Sequence, residues 1–369
     1  MRFAIAAILV CLDLVPSVRA QPGEARFVER LEPFIQKAMK DDRITGLAIG
    51  IVEGGKPVYV RGFGVMDARD PSRPVTADTL FHMASITKTF VATAVMQLVE
   101  RSLVDLDAPV IKYVPDFRLK DPRYRSITVR QMLTHTSGMP DVHGYRWDKP
   151  EFDDGALDRY VRGLQDKTLL SEPGTKFAYS NMAYEVLGDL VAKVSGMSFE
   201  DHVREAILSP IDMRSSTLLW KQADPAKLAT GHTRAKDGSV IPIAHYPYNR
   251  AHTPSSNLHS SAKDMVQWIL LNLNRGELNG HRILQDSTYD RMWVPTEISG
   301  QQRVGICWFL RSYKGQQIVM HGGQDDGFLS TVVLLPIRKV GVAVMINSDH
   351  AALAKIHEKA LKVALNEEQ

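Results

Sequence analysis

Where apolar residues alternate as in strands, and where they recur as in helices, constrains this fold more than any other feature of the chain. Near the N-terminus two short apolar stretches, 46–52 and 57–64, flank the turn signal Glu53-Gly54-Gly55-Lys56. Near the C-terminus four more, 306–311, 317–321, 329–335 and 340–346, are separated by turn residues. Helical periodicity dominates elsewhere, at 26–40, 183–194, 262–273 and 351–365, with long Pro- and Gly-punctuated loops through the middle third. The strands therefore sit at the two ends. This predicts an α+β fold in which both ends build a shared, mainly antiparallel sheet flanked by helices, with an all-helical domain inserted. The expected boundaries are 21–84 plus 290–369 for the sheet domain and 85–289 for the mainly helical domain, with the active site at their interface.

The first residues read as a leader rather than as part of either domain. Arg2 precedes an apolar run at 3–12, Pro16 breaks it, and Val18-Arg19-Ala20 offers a small-residue exit before Gln21. Residues 1–20 thus have the form of a cleaved export signal, which predicts a periplasmic or secreted protein. A lipoprotein signal at Cys11 is the rival, and bulky Val10 suits that chemistry poorly. Loss of 1–20 takes the net charge only from +3 to +2, which gives no electrostatic case for nucleic acid. It also leaves Cys307 as the lone cysteine, so no intrachain disulfide is expected. Cys307 lies in Gly305-Ile306-Cys307-Trp308, where a buried strand thiol is the expectation. No apolar run after the leader is long enough to span a bilayer.

The pattern changes period at Ser85. Ile86, Phe90, Ala94, Val95, Leu98 and Val99 share one helical face, widened by Val91 and Met96, which predicts a central buried helix. Within Ser85-Ile86-Thr87-Lys88 the serine and lysine, three apart, meet on one face. A serine hydroxyl needs a base before it can attack a carbonyl, and a buried lysine can supply one once it loses its proton. The chain carries its own control, because Ser260-Ser261-Ala262-Lys263 has the same pattern. There a serine ahead of a helix reads as an N-cap, whereas a charged Lys88 in the most apolar helix demands a reason.

Two further elements join the first. Tyr179-Ser180-Asn181 leads into a helix; its tyrosine can run as a phenolate and share the base role, and its asparagine can orient a lysine or a substrate amide. Asn181 can equally be a helix N-cap. His321-Gly322-Gly323-Gln324 ends a strand, where glycines let a substrate lie against the strand edge. These elements, in this order, resemble the serine β-lactamase and penicillin-binding protein superfamily, in particular its class C, DD-peptidase and esterase branch. Leu133-Thr134-His135-Thr136-Ser137-Gly138, Leu106-Asp107-Ala108-Pro109-Val110, Tyr184-Glu185-Val186-Leu187-Gly188 and Ser261-Ala262-Lys263-Asp264-Met265 carry the resemblance further, over roughly residues 27–365.

The resemblance implies an acyl-enzyme hydrolase without metal or cofactor. Ser85 would be the nucleophile, Lys88 and Tyr179 the proton shuttle, and Asn181 a group orienting lysine and substrate. His321, Gly322 and Gly323 would bind substrate, and the backbone N–H groups of Ser85 and Gln324 would form the oxyanion hole. Two departures from the family's phrases stand out. His321 replaces a usual lysine that binds a substrate carboxylate, and is charged only part of the time near neutral pH, which favours esterase or peptidase chemistry over a lactamase. Ser256-Asn257 replaces paired glycines, and Asn tolerates positive φ. His135 reads as a structural hydrogen-bonding residue rather than a triad member. The twelve histidines show no metal-ligand spacing. Rim residues such as Tyr145 and Trp147 in 139–151 are expected to sort an ester, a D-Ala-D-Ala peptide or a β-lactam. A non-hydrolytic penicillin-recognising or cell-wall-binding protein is the alternative.

Overall fold

The computed structural model describes residues 24–367; the expected leader at 1–20 lies outside them. One seven-stranded sheet runs in the order Phe309–Tyr313, Gln316–Asp325, Phe328–Leu335, Val340–Ile346, Gly46–Glu53, Lys56–Asp67, Asp70–Pro74. Every pairing is antiparallel. The two chain ends meet in mid-sheet, where Leu47 lies opposite Ile346 and Val52 opposite Gly341. Gly54 and Gly55 close the first hairpin with φ of 57° and 73°, values that cost a glycine nothing.

Gly46–Glu53 and Val340–Ile346 are buried almost throughout, because helices cover both sheet faces and every second side chain on each face is apolar. On one face Phe27, Leu31 and Ile35 pack with Ile356, Ala360 and Leu361 of the closing helix Leu353–Ala364. On the other face Ala48, Val332, Ala343 and Met345 join a core that continues into the helical insertion. There the helices Thr87–Glu100 and Ala262–Leu273 stack Phe90 on Trp268 at 3.8 Å. Burying each of these large side chains stabilises the fold by roughly 2–3 kcal/mol.

Three expectations shift. The helix expected over 26–40 is two, Ala25–Arg30 and Glu32–Asp42, with Pro33 in the first turn of the second, where a missing N–H is harmless. The strand expected at 306–311 is Phe309–Tyr313. Cys307 stands ahead of it at φ 71°, its amide donating to the Leu133 carbonyl at 3.0 Å, so the thiol is buried but not on a strand. Residues 85–289 are mainly helical and also hold two two-stranded ladders, and a third ladder takes one strand from just before them. This third ladder pairs Phe81–His82 with His259–Ser260, which brings the chain just before Ser85 against the chain just after Ser255.

Candidate active site

From Thr79 to Met96 every residue is buried except Ser85. The segment that carries it is a short 3-10 turn, Ala84–Ile86, which runs into Thr87–Glu100. Ala84 is held at φ 47°, a left-handed conformation uncommon for a residue with a Cβ. Local hydrogen bonds keep it there: Thr87 Oγ1 donates to the Ala84 carbonyl at 2.7 Å and accepts from the Leu258 amide at 3.0 Å. Met83 is tied on both sides, its amide donating to the Leu258 carbonyl and its carbonyl accepting from Ser330 Oγ, each at 2.7 Å. The strained turn thrusts the Ser85 side chain into a cleft of about 620 Å³.

Lys88 lies fully buried beneath Ser85. Its Nζ donates to Ser85 Oγ at 2.9 Å and to the Ser255 carbonyl at 2.7 Å. Burial lowers its pKa to about 8, against the opposing pull of Glu185, Asp325, Cys307 and Asp141. Desolvation penalises the ammonium, so a neutral amine within reach of the hydroxyl becomes accessible near physiological pH. Tyr179 stands on the other side of Ser85, with Lys88 Nζ 5.2 Å from its ring centre. Burial pushes its phenol far up, and the Ser85 hydroxyl beside it pulls less strongly downward. Burial thus favours the Tyr179 phenol over the phenolate the sequence allowed.

His135 fixes Tyr179. Its ring stacks on Tyr179 at 4.2 Å, and its Nδ1 accepts from the Ser180 amide at 3.1 Å. Burial and the neighbouring Lys88 push its pKa well down, so the ring is neutral, as an Nδ1 acceptor must be. The N-cap of Asn181–Ser195 is Ser180, not Asn181: Ser180 Oγ accepts from the Ala183 amide at 3.1 Å. Asn181 is held by Asp141 Oδ1, which accepts from both its backbone and side-chain N–H groups at 2.9 Å. It does not orient Lys88, whose hydrogen bonds go to Ser85 and Ser255. Asn181 lines the cleft and its Oδ1 has no protein partner.

His321, Gly322, Gly323 and Gln324 line the same cleft on the strand Gln316–Asp325. A Cβ at Gly323 would stand 2.3 Å from the Met83 carbonyl and 3.1 Å from the Ser85 nitrogen. Only glycine lets the strand approach the nucleophile turn this closely, and Ser85 and Gln324 both line the cleft. His321 is buried, with Nδ1 2.7 Å from the Gly322 carbonyl. Burial, then Lys88, pull its pKa down to about 3. The partial positive charge expected of it near neutrality is absent. Asn257 sits at φ −86°, so no left-handed residue is needed where paired glycines were the comparison.

The duplicate motif resolves as scaffold. Ser261 caps Ala262–Leu273 by accepting from the Asp264 amide at 3.1 Å, and Lys263 reaches outward to Asp78 at 3.3 Å. Tyr145 and Trp147 stack on each other at 5.1 Å, and neither lines the cleft, to which their loop contributes Asp141. The opposite wall was invisible in the sequence: Thr331 and Leu329 on the next strand, then Asp349, Ala351, Leu353 and His357. No local signal marks these residues, because the antiparallel register and the closing helix alone bring them there. Among the described residues no group of His, Cys, Asp or Glu is placed to hold a metal ion.

With this geometry in place, comparison with known proteins gives a family. The beta-lactamase family model matches residues 31–365. The chain belongs to the beta-lactamase family. A solved octameric penicillin-binding protein homologue from Pyrococcus abyssi superposes with a TM-score of 0.81 at 28% identity, covering 92% of this chain and 77% of that one. Protein flp of Staphylococcus aureus (strain MW2) is 26% identical over 332 residues, 89% of this chain. Esterase EstB of Burkholderia gladioli is 32% identical over 238 residues, 59% of this chain. The match spans 65% of the length of the Staphylococcus protein and 60% of the esterase.

Proposed function

We propose that this protein is a serine hydrolase that cleaves uncharged carboxylic esters through an acyl-enzyme on Ser85. The observation that carries the chemistry is the 2.9 Å contact between Ser85 Oγ and a buried lysine whose pKa is down to about 8. At pH 7 about a tenth of such a lysine is the free amine, enough to act as base in a pre-oriented pair. Ser85 Oγ attacks the ester carbonyl while its proton passes to Lys88 Nζ. The developing oxyanion is met by the amides of Ser85 and Gln324. The Tyr179 phenol relays the proton from Lys88 to the departing alkoxide oxygen. Water then attacks the acyl carbonyl and gives a proton to Lys88, which passes it to Ser85 Oγ as the ester bond to Ser85 breaks and the acid leaves. Similarity to an esterase over 59% of the chain supports this reading.

The cleft's charge favours an uncharged substrate. Among the described residues that line it are two carboxylates, Asp141 and Asp349, and no lysine or arginine, while His321 is held neutral. A β-lactam or a peptide ending in D-Ala-D-Ala brings a carboxylate, which would meet like charge here. The test is a side-by-side rate measurement on short-chain p-nitrophenyl esters, nitrocefin and a D-Ala-D-Ala peptide, with intact mass after incubation with ester or penicillin. Ester turnover far above the other two, with acyl mass lost in Ser85→Ala, is expected. Acyl mass without turnover would instead mark a penicillin-recognising protein. No mass at Ser85, with ester turnover unchanged in Ser85→Ala, would end the hydrolase reading. The leader at 1–20 adds the proposal of export, for which a mature N-terminus at Gln21 in a secreting host is the expected result and one at Met1 the contrary.

A further inference from the structure

The proposed mechanism uses Lys88 but leaves unexplained what stands behind it. Glu185 is fully buried on the helix Asn181–Ser195, one turn beyond Asn181. Its Oε1 accepts from Ser255 Oγ at 2.5 Å and lies 3.2 Å from His252 Nδ1, while Oε2 has no partner. Ser255 is a bridge: its hydroxyl goes to Glu185, and its carbonyl takes the Lys88 ammonium at 2.7 Å. Tyr145 and Tyr160 close the cluster, their rings 4.8 Å and 4.6 Å from that of His252. Taking a carboxylate out of water is costly unless a charge partner repays it. A charge at hand is Lys88, on which Glu185 exerts the largest Coulombic pull.

We propose that Glu185 is a positioning residue for the Ser85–Lys88 pair: through Ser255 it fixes the carbonyl that aims Lys88 at Ser85, and its charge tunes the proton affinity of the base. The proposal rests on the hydrolase reading above. Other groups face Lys88 from every side: Asp325 from the Gln316–Asp325 strand, Asp141 and Cys307 from loops, the rings of His135 and His321, and the phenols of Tyr179 and Tyr184. The two imidazoles are neutral and the two phenols protonated, so they hold steady while Lys88 titrates. Facing Glu185 are Ser255, His252, Tyr145, Tyr160 and Lys88. Glutamine at 185 keeps an acceptor for Ser255 and removes only the charge.

The experiment is the pH profile of kcat/KM for p-nitrophenyl acetate in the wild type, Glu185→Gln and Ser255→Ala. Loss of this turnover in Ser85→Ala first establishes the hydrolase reading; turnover that survives there defeats that reading and not this one. In Glu185→Gln the acid limb is expected to move to lower pH by about 1 unit, the effect of removing one nearby opposite charge. A folded Glu185→Gln whose limb stays where the wild type's lies would overturn the proposal. If that variant does not fold, Ser255→Ala decides, because it cuts the bridge and leaves the charge. A kcat lowered roughly tenfold or more with KM little changed supports the positioning role, since small misplacements cost this much or more; any smaller loss of kcat refutes it.

Discussion

Replacing Lys88 by methionine should abolish turnover, and the variant's stability relative to the wild type should depend on pH in a defined way. The lysine is fully buried, and its pKa falls from 10.5 in the unfolded chain to about 8 in the fold. Between these values the unfolded state binds more protons than the folded one, so stability rises with pH across that window and is lowest below it. A shift of this size corresponds to about 3 kcal/mol of destabilisation at pH 7, of which only about 1 kcal/mol persists at pH 10. Methionine removes this cost at every pH. It also breaks the hydrogen bonds to Ser85 Oγ and the Ser255 carbonyl, a loss of about 1–3 kcal/mol that does not vary with pH. The stability difference between variant and wild type, from urea unfolding, should therefore narrow by about 2 kcal/mol from pH 7 to pH 10. A difference that stays flat would refute the premise that burial lowers the pKa of Lys88.

Acid should destabilise the fold through its buried histidines. His259 and His321 are each pulled down to about 3, chiefly by burial. As pH falls from 6.5 toward 3 the unfolded chain gains protons that the fold excludes, costing about 1.4 kcal/mol per pH unit for each. His259→Phe, whose ring can keep the stack on Tyr246 at 5.6 Å, should flatten that slope by about 1 kcal/mol per pH unit in urea titrations at pH 5 and 6; an unchanged slope would show that His259 is already protonated. Gly323→Ala should lower kcat by about 10²-fold or more, the usual loss of an oxyanion donor, because its Cβ would press on the Met83 carbonyl at 2.3 Å. Near-wild-type turnover in a folded Gly323→Ala would mean that the strand does not form the oxyanion hole. Replacing His321 by Gln should leave the pH–rate profile between 5 and 8 without a lost ionisation, since the histidine does not titrate there.

Much of this was written locally in the chain. Period-two stretches at both ends required a shared sheet, and the Gly54-Gly55 turn fixed its first hairpin. The order of Ser85-x-x-Lys88, Tyr179-x-Asn181 and His321-Gly322-Gly323 pointed to the candidate site, and the helix that follows Ser261 exposed the second Ser-x-x-Lys as a cap. Residues three apart in a helix, or alternating in a strand, meet whatever the rest of the chain does, so such features survive reading in one dimension.

What the tertiary structure decided are the quantities that depend on burial and on partners distant in sequence. Asn181 finds Asp141 forty residues back, and Lys88 finds a carbonyl 167 residues ahead. The closing helix supplies part of the cleft wall, and Tyr145 and Trp147 do not line it. Protonation followed the same rule. His321, ambiguous as a letter, is neutral because it is enclosed beside Lys88, and Tyr179 is a phenol because burial disfavours its anion. Sequence placed the reactive groups in order; the low-dielectric interior, assembled only when both ends of the chain close one sheet, set which of them holds the proton.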